Sequence, residues 1–503
     1  MITGLLLIWC GVLIFWYWYH RRHLVKLASQ IPGPVGYPII GNGLTFWGKP
    51  EEVFRRLRDI YMSYSRLVAI WLGPKLHVAL FNASDAEVLL KSKFTEKADE
   101  YKYLKPWLGE SLLLSTGSKF KFNKKLIMPA FYINNLKRFL GVFNDHALTL
   151  VETLREQVGI EEFDIQPFLS TSTMDVLLET VMGISKDTLG EQAKTYSQTV
   201  HKLGRLAHMR VYKFWLRPDF IFRFSKVKQQ QDKYLKIING LTEKVIQQRK
   251  DAYVSKLEQQ CTTESDEKWT VFMDSLLKAK DENGVGLTDD DIKAEVMTMM
   301  FAGQDTTSTT IGFTLSLLGI YQQIQDKVVA ELEEVFGNSN EPVTYNDVQK
   351  LHYLEQVIQE TWRLYPPIPM VAKKPMSDIQ LETCTLPAEC SVGIMIMAIH
   401  RDPKQFPSPM RFNPDHFLPE RIKARHPYSY LPFSAGSRTC IGAKYATLLI
   451  KVMLATLLRS YRVTSKRRER EFKLAGQTVL KRKEGYLVSL HLKENYNNTI
   501  LNN

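Results

Sequence analysis

Pro432-Phe433-Ser434-Ala435-Gly436-Ser437-Arg438-Thr439-Cys440-Ile441-Gly442-Ala443-Lys444-Tyr445-Ala446 leads directly into an apolar helical run that ends at Leu458. A cysteine at the head of a helix meets unpaired backbone N–H groups and the positive end of the helix dipole, and both favour a thiolate. Gly436 permits a tight backbone turn, Phe433 can shield one side of the sulfur from water, and Arg438 carries a charge that cannot be removed. Two readings follow. Cys440 is either a buried structural cysteine, as a lone cysteine usually is, or the axial ligand of a haem whose propionate meets Arg438. The other cysteines, Cys10, Cys261, Cys384 and Cys390, form no C-x-x-C pair and are too few to staple 503 residues, which suits a reducing compartment.

Upstream, Met297 to Ile320 is nearly all apolar but is interrupted by Ala302-Gly303-Gln304-Asp305-Thr306-Thr307. A second membrane span would place Asp305 in the bilayer at a cost of roughly 3 kcal/mol, so a helix buried inside the body fits better. Gly303 removes a side chain, which would let a flat ligand approach the backbone. A threonine hydroxyl bonded to the carbonyl one turn earlier would open the helix locally for water and O₂. The plain alternative is a satisfied polar kink in a packed helix.

The ten positions Phe433-x-x-Gly436-x-Arg438-x-Cys440-x-Gly442 resemble the haem-binding loop of the cytochrome P-450 superfamily. The likeness extends over nearly the whole chain, in order: an apolar amino end, a Pro-Gly hinge, the Asp305-Thr306 acid-alcohol pair, Glu360-x-x-Arg363 and the cysteine loop. Arg425 to Gly436 is especially similar to the family-4 clan, which includes fatty-acid omega-hydroxylases and many insect enzymes. The resemblance implies a mainly α fold with minor β, one haem domain, haem b as cofactor and O₂ as co-substrate. It implies that Thr306 positions protons at the distal oxygen, that Asp305 relays them from solvent, and that Cys440 binds iron.

Several positions depart from the family pattern. A Trp-x-x-x-Arg usual before Pro-Ala-Phe is here Phe120 to Lys124, followed by Met128-Pro129-Ala130-Phe131, so the propionate side loses an indole N–H and a guanidinium fork. Lys373 also stands where arginine is usual. In the family Glu360 and Arg363 are a buried pair completed by the arginine of a Pro-x-Arg-Phe run; here His416 takes that place and makes the third bond depend on protonation. Ala302 replaces a glutamate that some omega-hydroxylases esterify to haem, so no covalent link is expected.

The apolar run at 2–19 is long enough to cross a bilayer as a helix. It lacks a preceding basic residue, and Trp16 to Tyr19 stand where a cleavage site would need small residues, so an anchor is preferred over a cleaved signal. His20, Arg21, Arg22, His23 and Lys26 place the body in the cytoplasm by the positive-inside rule. Residues 20–38, with Ile31-Pro32-Gly33-Pro34, read as stop-transfer and hinge, 39–494 as the monooxygenase domain, and 495–503 as a disordered tail. In a cytoplasmic body the sequons at Asn82 and Asn497 stay unmodified.

Within the body the periodicity predicts helix over 291–336, 139–158 and 229–253, strands over 67–81, 391–399 and 486–491, and a mobile loop at 259–268. Hydrophobic residues make up 45% and charged residues 24% of the chain, which excludes disorder. A mean hydropathy of -0.20 excludes a polytopic membrane protein. The net charge of +13 comes without any nucleic-acid motif, so nucleic acid is not an expected partner.

Lys119, Lys121, Lys124 and Lys125 form a basic cluster, by resemblance a docking face for NADPH-cytochrome reductase, with cytochrome b5 as a second candidate donor; as a plain alternative it is a solvated helix face. Phe214 to Phe222 either dips into the bilayer or packs in the core. The resemblance lines the pocket with Tyr101 to Leu112, Met300, Phe301, Ile368 to Val371 and the hairpin near Leu480, all suited to a lipophilic small molecule such as a fatty acid, terpenoid hormone, odorant or xenobiotic. It places the protein at the endoplasmic reticulum as a single-pass microsomal enzyme. Two rivals stay open: peroxide rearrangement without O₂ or reductase, which the acid-alcohol pair argues against, and a membrane-tethered haem binder without turnover.

Overall fold

The helix Asp289–Ile320 runs through the middle of the molecule and is buried over most of its length. Thr288 fixes its start by accepting the Asp291 N–H at 3.1 Å, and Asp289, Asp290 and Asp291 complement the dipole in the first turn. The predicted continuous helix divides at Tyr321, and a second helix, Gln322–Phe336, follows. The break is stable because the Gln322 and Gln325 side-chain amides donate to the Leu318 and Gly319 carbonyls that the first helix leaves unpaired. Helices Gln166–Leu177, His352–Leu364 and Ala443–Ser460 pack around the central one. The other two predicted helices are Ile133–Arg155 and Lys226–Glu258. Helices hold 61% of the chain, so the class is mainly α with minor β. This computed structural model describes residues 2–37, 39–185, 190, 192–258, 271–280, 284–337, 339, 341–476 and 478–493; the predicted loop at 259–268 and the tail at 495–503 lie outside them.

The largest sheet has five strands in the order Leu67–Leu72, Lys75–Leu80, Ser391–Ile394, Val371–Pro375, Thr95–Lys97. Its first two strands form the predicted hairpin, turned at Gly73 in the left-handed region. The predicted strand at 391–399 stops at Ile394. Residues Ile396–Ile399 instead form a helical turn, with the Ile399 and His400 N–H groups returning to Met395 and Ile396. Leu487–Leu492 is a strand as predicted, paired with Tyr461–Thr464 and Phe163–Asp164.

Ile2–Ala28 is helical. Its carboxyl end is docked on the body: Ala28 is buried, Leu24 packs against the sheet cluster, and His23 bonds Asp378 at 2.7 Å. Farther out, Trp9, Phe15, Trp16 and Tyr19 are exposed. Among the described residues no helix is long and apolar enough to cross a membrane. The transmembrane reading of 2–19 is therefore not carried by the described residues. The hinge that follows lies along the hairpin, with the Pro32 carbonyl accepting the Ala69 N–H at 2.8 Å.

Candidate active site

Gly436 adopts φ of 75°, and a side chain there would meet the Leu90 carbonyl oxygen at 2.4 Å, so the turn admits only glycine. The turn returns the Cys440 N–H to the Phe433 carbonyl at 3.0 Å. The Phe433 ring stands edge-on to Trp362 with centroids 4.9 Å apart. Cys440 opens into a cavity of about 1710 Å³, which Ala302, Gly303, Thr306 and Thr310 of the central helix also line. Its sulfur faces the cavity, with enough protein around it to desolvate the thiol. Burial pushes the thiol up, and a hydrogen bond from the Gly442 backbone pulls the other way.

One edge of this cavity is strongly cationic. Sheet register sets Lys97 directly opposite Lys373, a like-charged pair that destabilises the sheet unless an anion covers it. Lys97, Lys373 and Arg438 all line the cavity, and none makes a salt bridge among the described residues. Burial, then Arg438 and Lys373, lowers Lys97 to about 7; burial and Arg438 lower Lys373 to about 8. Sequence reasoning missed Lys97, because only the sheet register brings it beside Lys373. An apolar cavity with a thiol at one wall and three uncompensated cations at its edge fits a flat apolar group that carries carboxylates and binds a thiolate, as a haem does.

The departures at Phe120 and Lys124 find a local use. Phe120 is a platform for Arg438, whose guanidinium carbon lies 3.3 Å from the ring centroid. Arg438 also donates to the Leu112 and Ser115 carbonyls at 3.4 and 2.7 Å. Lys124 donates to the Ser437 carbonyl at 2.9 Å, so it ties down the cysteine loop.

On the central helix the Thr306 hydroxyl donates to the Ala302 carbonyl at 2.7 Å, the expected back-bond, but the helix runs unbroken and the expected local opening is not formed. Gly303 lines the cavity as well, and a Cβ there would meet the side chain of Leu177, another lining residue, at 2.6 Å, so its small size serves both the cavity wall and the packing of a neighbouring helix. Asp305 does not line the large cavity. Its carboxylate bonds His201 at 2.7 Å and Lys481 at 2.5 Å, and Lys481 also donates to the Thr309 hydroxyl at 2.6 Å. Burial opposes the charge, yet Lys481 and His201 outweigh it and hold the carboxyl well below the usual range. His201 and Lys481 were not legible in the sequence as its partners.

Glu360 and Arg363 are fully buried and joined by two bonds of 2.6 and 2.7 Å, and His416 reaches Glu360 at 3.1 Å.

The sequence matches the cytochrome P450 family over residues 31–490. The chain belongs to that family. It is 37% identical to cytochrome P450 4g15 of Drosophila melanogaster, with 95% of each chain covered. It is 35% identical to human cytochrome P450 4V2, covering 94% of this chain and 90% of that one. A solved structure, the cytochrome P450DA heme domain, shares the fold with a TM-score of 0.78 at 19% identity over 93% of this chain and 98% of that one. This cytochrome P450 is thus a family-4-like haem-thiolate monooxygenase, an oxidoreductase that acts on lipophilic molecules with O₂ and a reductase partner; haem binding without turnover is not favoured.

The P450 cavity differs in detail from the expected pocket. Tyr101, Leu112, Phe301 and Ile368 line it, but Met300 is wholly in the core and Met299 takes its place. Leu480 is likewise core, and Gly476 and Thr478 are the hairpin residues that line the wall. The segment after Phe214 splits between its two readings: Leu216 and Phe222 are buried, whereas Phe220 and Phe224 are exposed. In the basic cluster Lys119, Lys121 and Lys125 are exposed, Lys119 pairs with Asp291 at 2.7 Å, and Lys124 serves the cysteine loop.

Glu295 braces the segment that carries the Arg438 acceptors. One of its oxygens accepts from the Leu112 N–H at 2.7 Å and the Asn123 amide at 2.6 Å, while the other has no partner, and burial pushes the carboxyl up to about 8. The folded state therefore holds a proton that the unfolded chain releases near 4.5, so this contribution is complete at low pH and is lost as pH rises toward 8. Glu295→Gln is expected to gain on the parent protein by roughly 2 kcal/mol between pH 5 and 8, measured by urea unfolding at both values. Parallel pH dependences in the two proteins would exclude a neutral Glu295.

Proposed function

We propose that this P450 is a membrane-associated enzyme of the endoplasmic reticulum, facing the cytoplasm, that uses haem b and takes two electrons from NADPH through NADPH-cytochrome reductase, with cytochrome b5 as an auxiliary donor. One atom of O₂ enters a C–H bond of a lipophilic molecule, and the other leaves as water with two protons drawn from solvent. The observation that carries the reading is the single cavity joining Cys440, the Lys97, Lys373 and Arg438 edge, and Thr306.

Bound haem supplies the oxygen activation; the chain supplies its setting. Cys440 is the iron ligand, Phe433 and Gly436 shape the loop around the sulfur, and Lys97, Lys373 and Arg438 take the propionates, with Phe120 and Lys124 holding Arg438 and the loop in place. Thr306 holds a hydroxyl proton at the cavity wall, and Asp305, kept ionised by His201 and Lys481, orders the solvent path that replenishes it. Exposed Trp9, Phe15, Trp16 and Tyr19, the basic residues after them, and exposed Phe220 and Phe224 support attachment of residues 2–19 and of the 214–224 segment to lipid, with 20–38 as hinge and 39–494 as the catalytic domain. Lys121 and Lys125 support an acidic reductase docking face.

The test is reconstitution with reductase. The reduced protein should give a thiolate-type carbon monoxide difference spectrum, and NADPH consumption should yield an oxygenated product; the spectrum without any product would favour a haem binder. Thr306→Ala should keep the spectrum but lose product per NADPH by at least about tenfold, the electrons appearing as hydrogen peroxide. Unchanged coupling would remove Thr306 from proton handling.

A further inference from the structure

The last turns of the helix Gln192–Tyr212 form part of the large cavity's wall, and they place an imidazole and a phenol where most other groups are apolar. His208 and Tyr212 lie one turn apart with ring centroids 4.5 Å apart, and Tyr212 stacks on Phe46 at 5.2 Å. Tyr61, from the helix Pro50–Ser63, lines the same space. Among the described residues His208, Tyr212 and Tyr61 make no side-chain hydrogen bond, so three polar heads face the cavity without a protein partner. A group able to donate or accept that is left unpaired in an apolar wall is costly unless water or a ligand completes it.

The charge state of this cluster narrows the ligand. Burial lowers His208 to about 4 and raises Tyr212 to about 12, so all its members are neutral near pH 7. The nearby charges compensate one another: His77 lies 3.7 Å from Glu100 and 3.4 Å from Arg217, and Glu100 is 3.3 Å from Lys75. Of the cavity cations that make no salt bridge among the described residues, Lys97, Lys373 and Arg438 belong to the edge assigned to the propionates. A carboxylate brought to His208 would lose its hydration without gaining a countercharge, whereas an alcohol, carbonyl or epoxide oxygen would be satisfied by a neutral imidazole and phenols.

We infer that His208, with the Tyr212 and Tyr61 hydroxyls, is the polar anchor of the substrate pocket and selects uncharged lipophiles bearing one oxygen function over free carboxylates. This rests on the reading of the cavity as the substrate pocket of a haem monooxygenase and specifies its substrate class.

The test uses the haem-loaded full chain, its thiolate carbon monoxide spectrum checked first. Binding of 1-dodecanol and of dodecanoate is then measured by equilibrium dialysis and by the shift of the haem absorption band. Dodecanol should bind at least about tenfold tighter than dodecanoate. His208→Leu should lose about tenfold for dodecanol and little for dodecanoate, because a site that satisfies a hydroxyl penalises loss of its partner. His208→Gln, which keeps a donor and an acceptor, should recover most of the affinity. Tighter binding of dodecanoate, an unaltered dodecanol affinity in His208→Leu, or uptake of neither probe by protein with a normal thiolate spectrum would overturn the anchor alone. A protein without that spectrum would overturn the haem reading beneath it.

Discussion

Cys440→Ala should leave a folded protein that has lost the thiolate spectrum and at least about a thousandfold of its product formation. The two effects separate because the sulfur faces the cavity instead of the packed core, while the loop around it is held by other groups: the Phe433 carbonyl on the Cys440 N–H, the Lys124 bond to Ser437, and Gly436 seated against Leu90. Removing one sulfur from such a position creates no core cavity, so helical content and urea midpoint should stay close to those of the parent. Among the described residues no other cysteine can take over ligation. Cys384 and Cys390 are buried in the sheet cluster and line no part of this cavity. Because burial pushes the Cys440 thiol up, taking up iron there must release a proton, and haem uptake should weaken as the pH falls. An unchanged carbon monoxide spectrum in Cys440→Ala would end the assignment of this residue as ligand.

Local chemistry was legible in the sequence and long-range register was not. The loop around Cys440 is a run of neighbours whose roles follow from turn geometry and helix-start electrostatics, and the Thr306 back-bond follows from a threonine inside a helix. Lys97 gives no such sign. It is one lysine among many until antiparallel pairing sets it against Lys373 across the sheet. The same holds for His201 and Lys481, which reach Asp305 from a helix and a hairpin distant in sequence. Gly303 was legible in part: its small size reads as space for a ligand and it does line the cavity, but its packing against Leu177 of a neighbouring helix could not be read from the sequence. The amino-terminal run reads as a span from its length, its apolar character and the basic residues after it, whereas among the described residues no helix is long and apolar enough to cross a membrane.

Arg363→Met should be the most destabilising single change in the body, at roughly 3–5 kcal/mol. Arg363 donates twice to Glu360 and once each to the carbonyls of His400, Pro409 and Arg411, so one guanidinium closes five bonds where no water reaches. Those carbonyls lie on the meander between residues 400 and 411 that leads toward the cysteine loop, and without the arginine they are buried and unpaired. Glu360 would keep the Asn413 N–H at 2.8 Å and His416 at 3.1 Å. His416 also contacts the Pro407 carbonyl at 2.8 Å, so both of its ring nitrogens face acceptors and both bonds form only when each carries a proton. Histidine is therefore a weaker second cation than arginine, which concentrates the stability of the cluster on Arg363. Arg363→Lys should recover only part of the loss, since an ammonium cannot serve the carboxylate and three carbonyls in one plane. Urea midpoints and haem content should fall together in the order parent, Lys, Met. A Met variant with the parent's midpoint would mean that the meander is held by its apolar contacts and that the buried pair contributes no net stability.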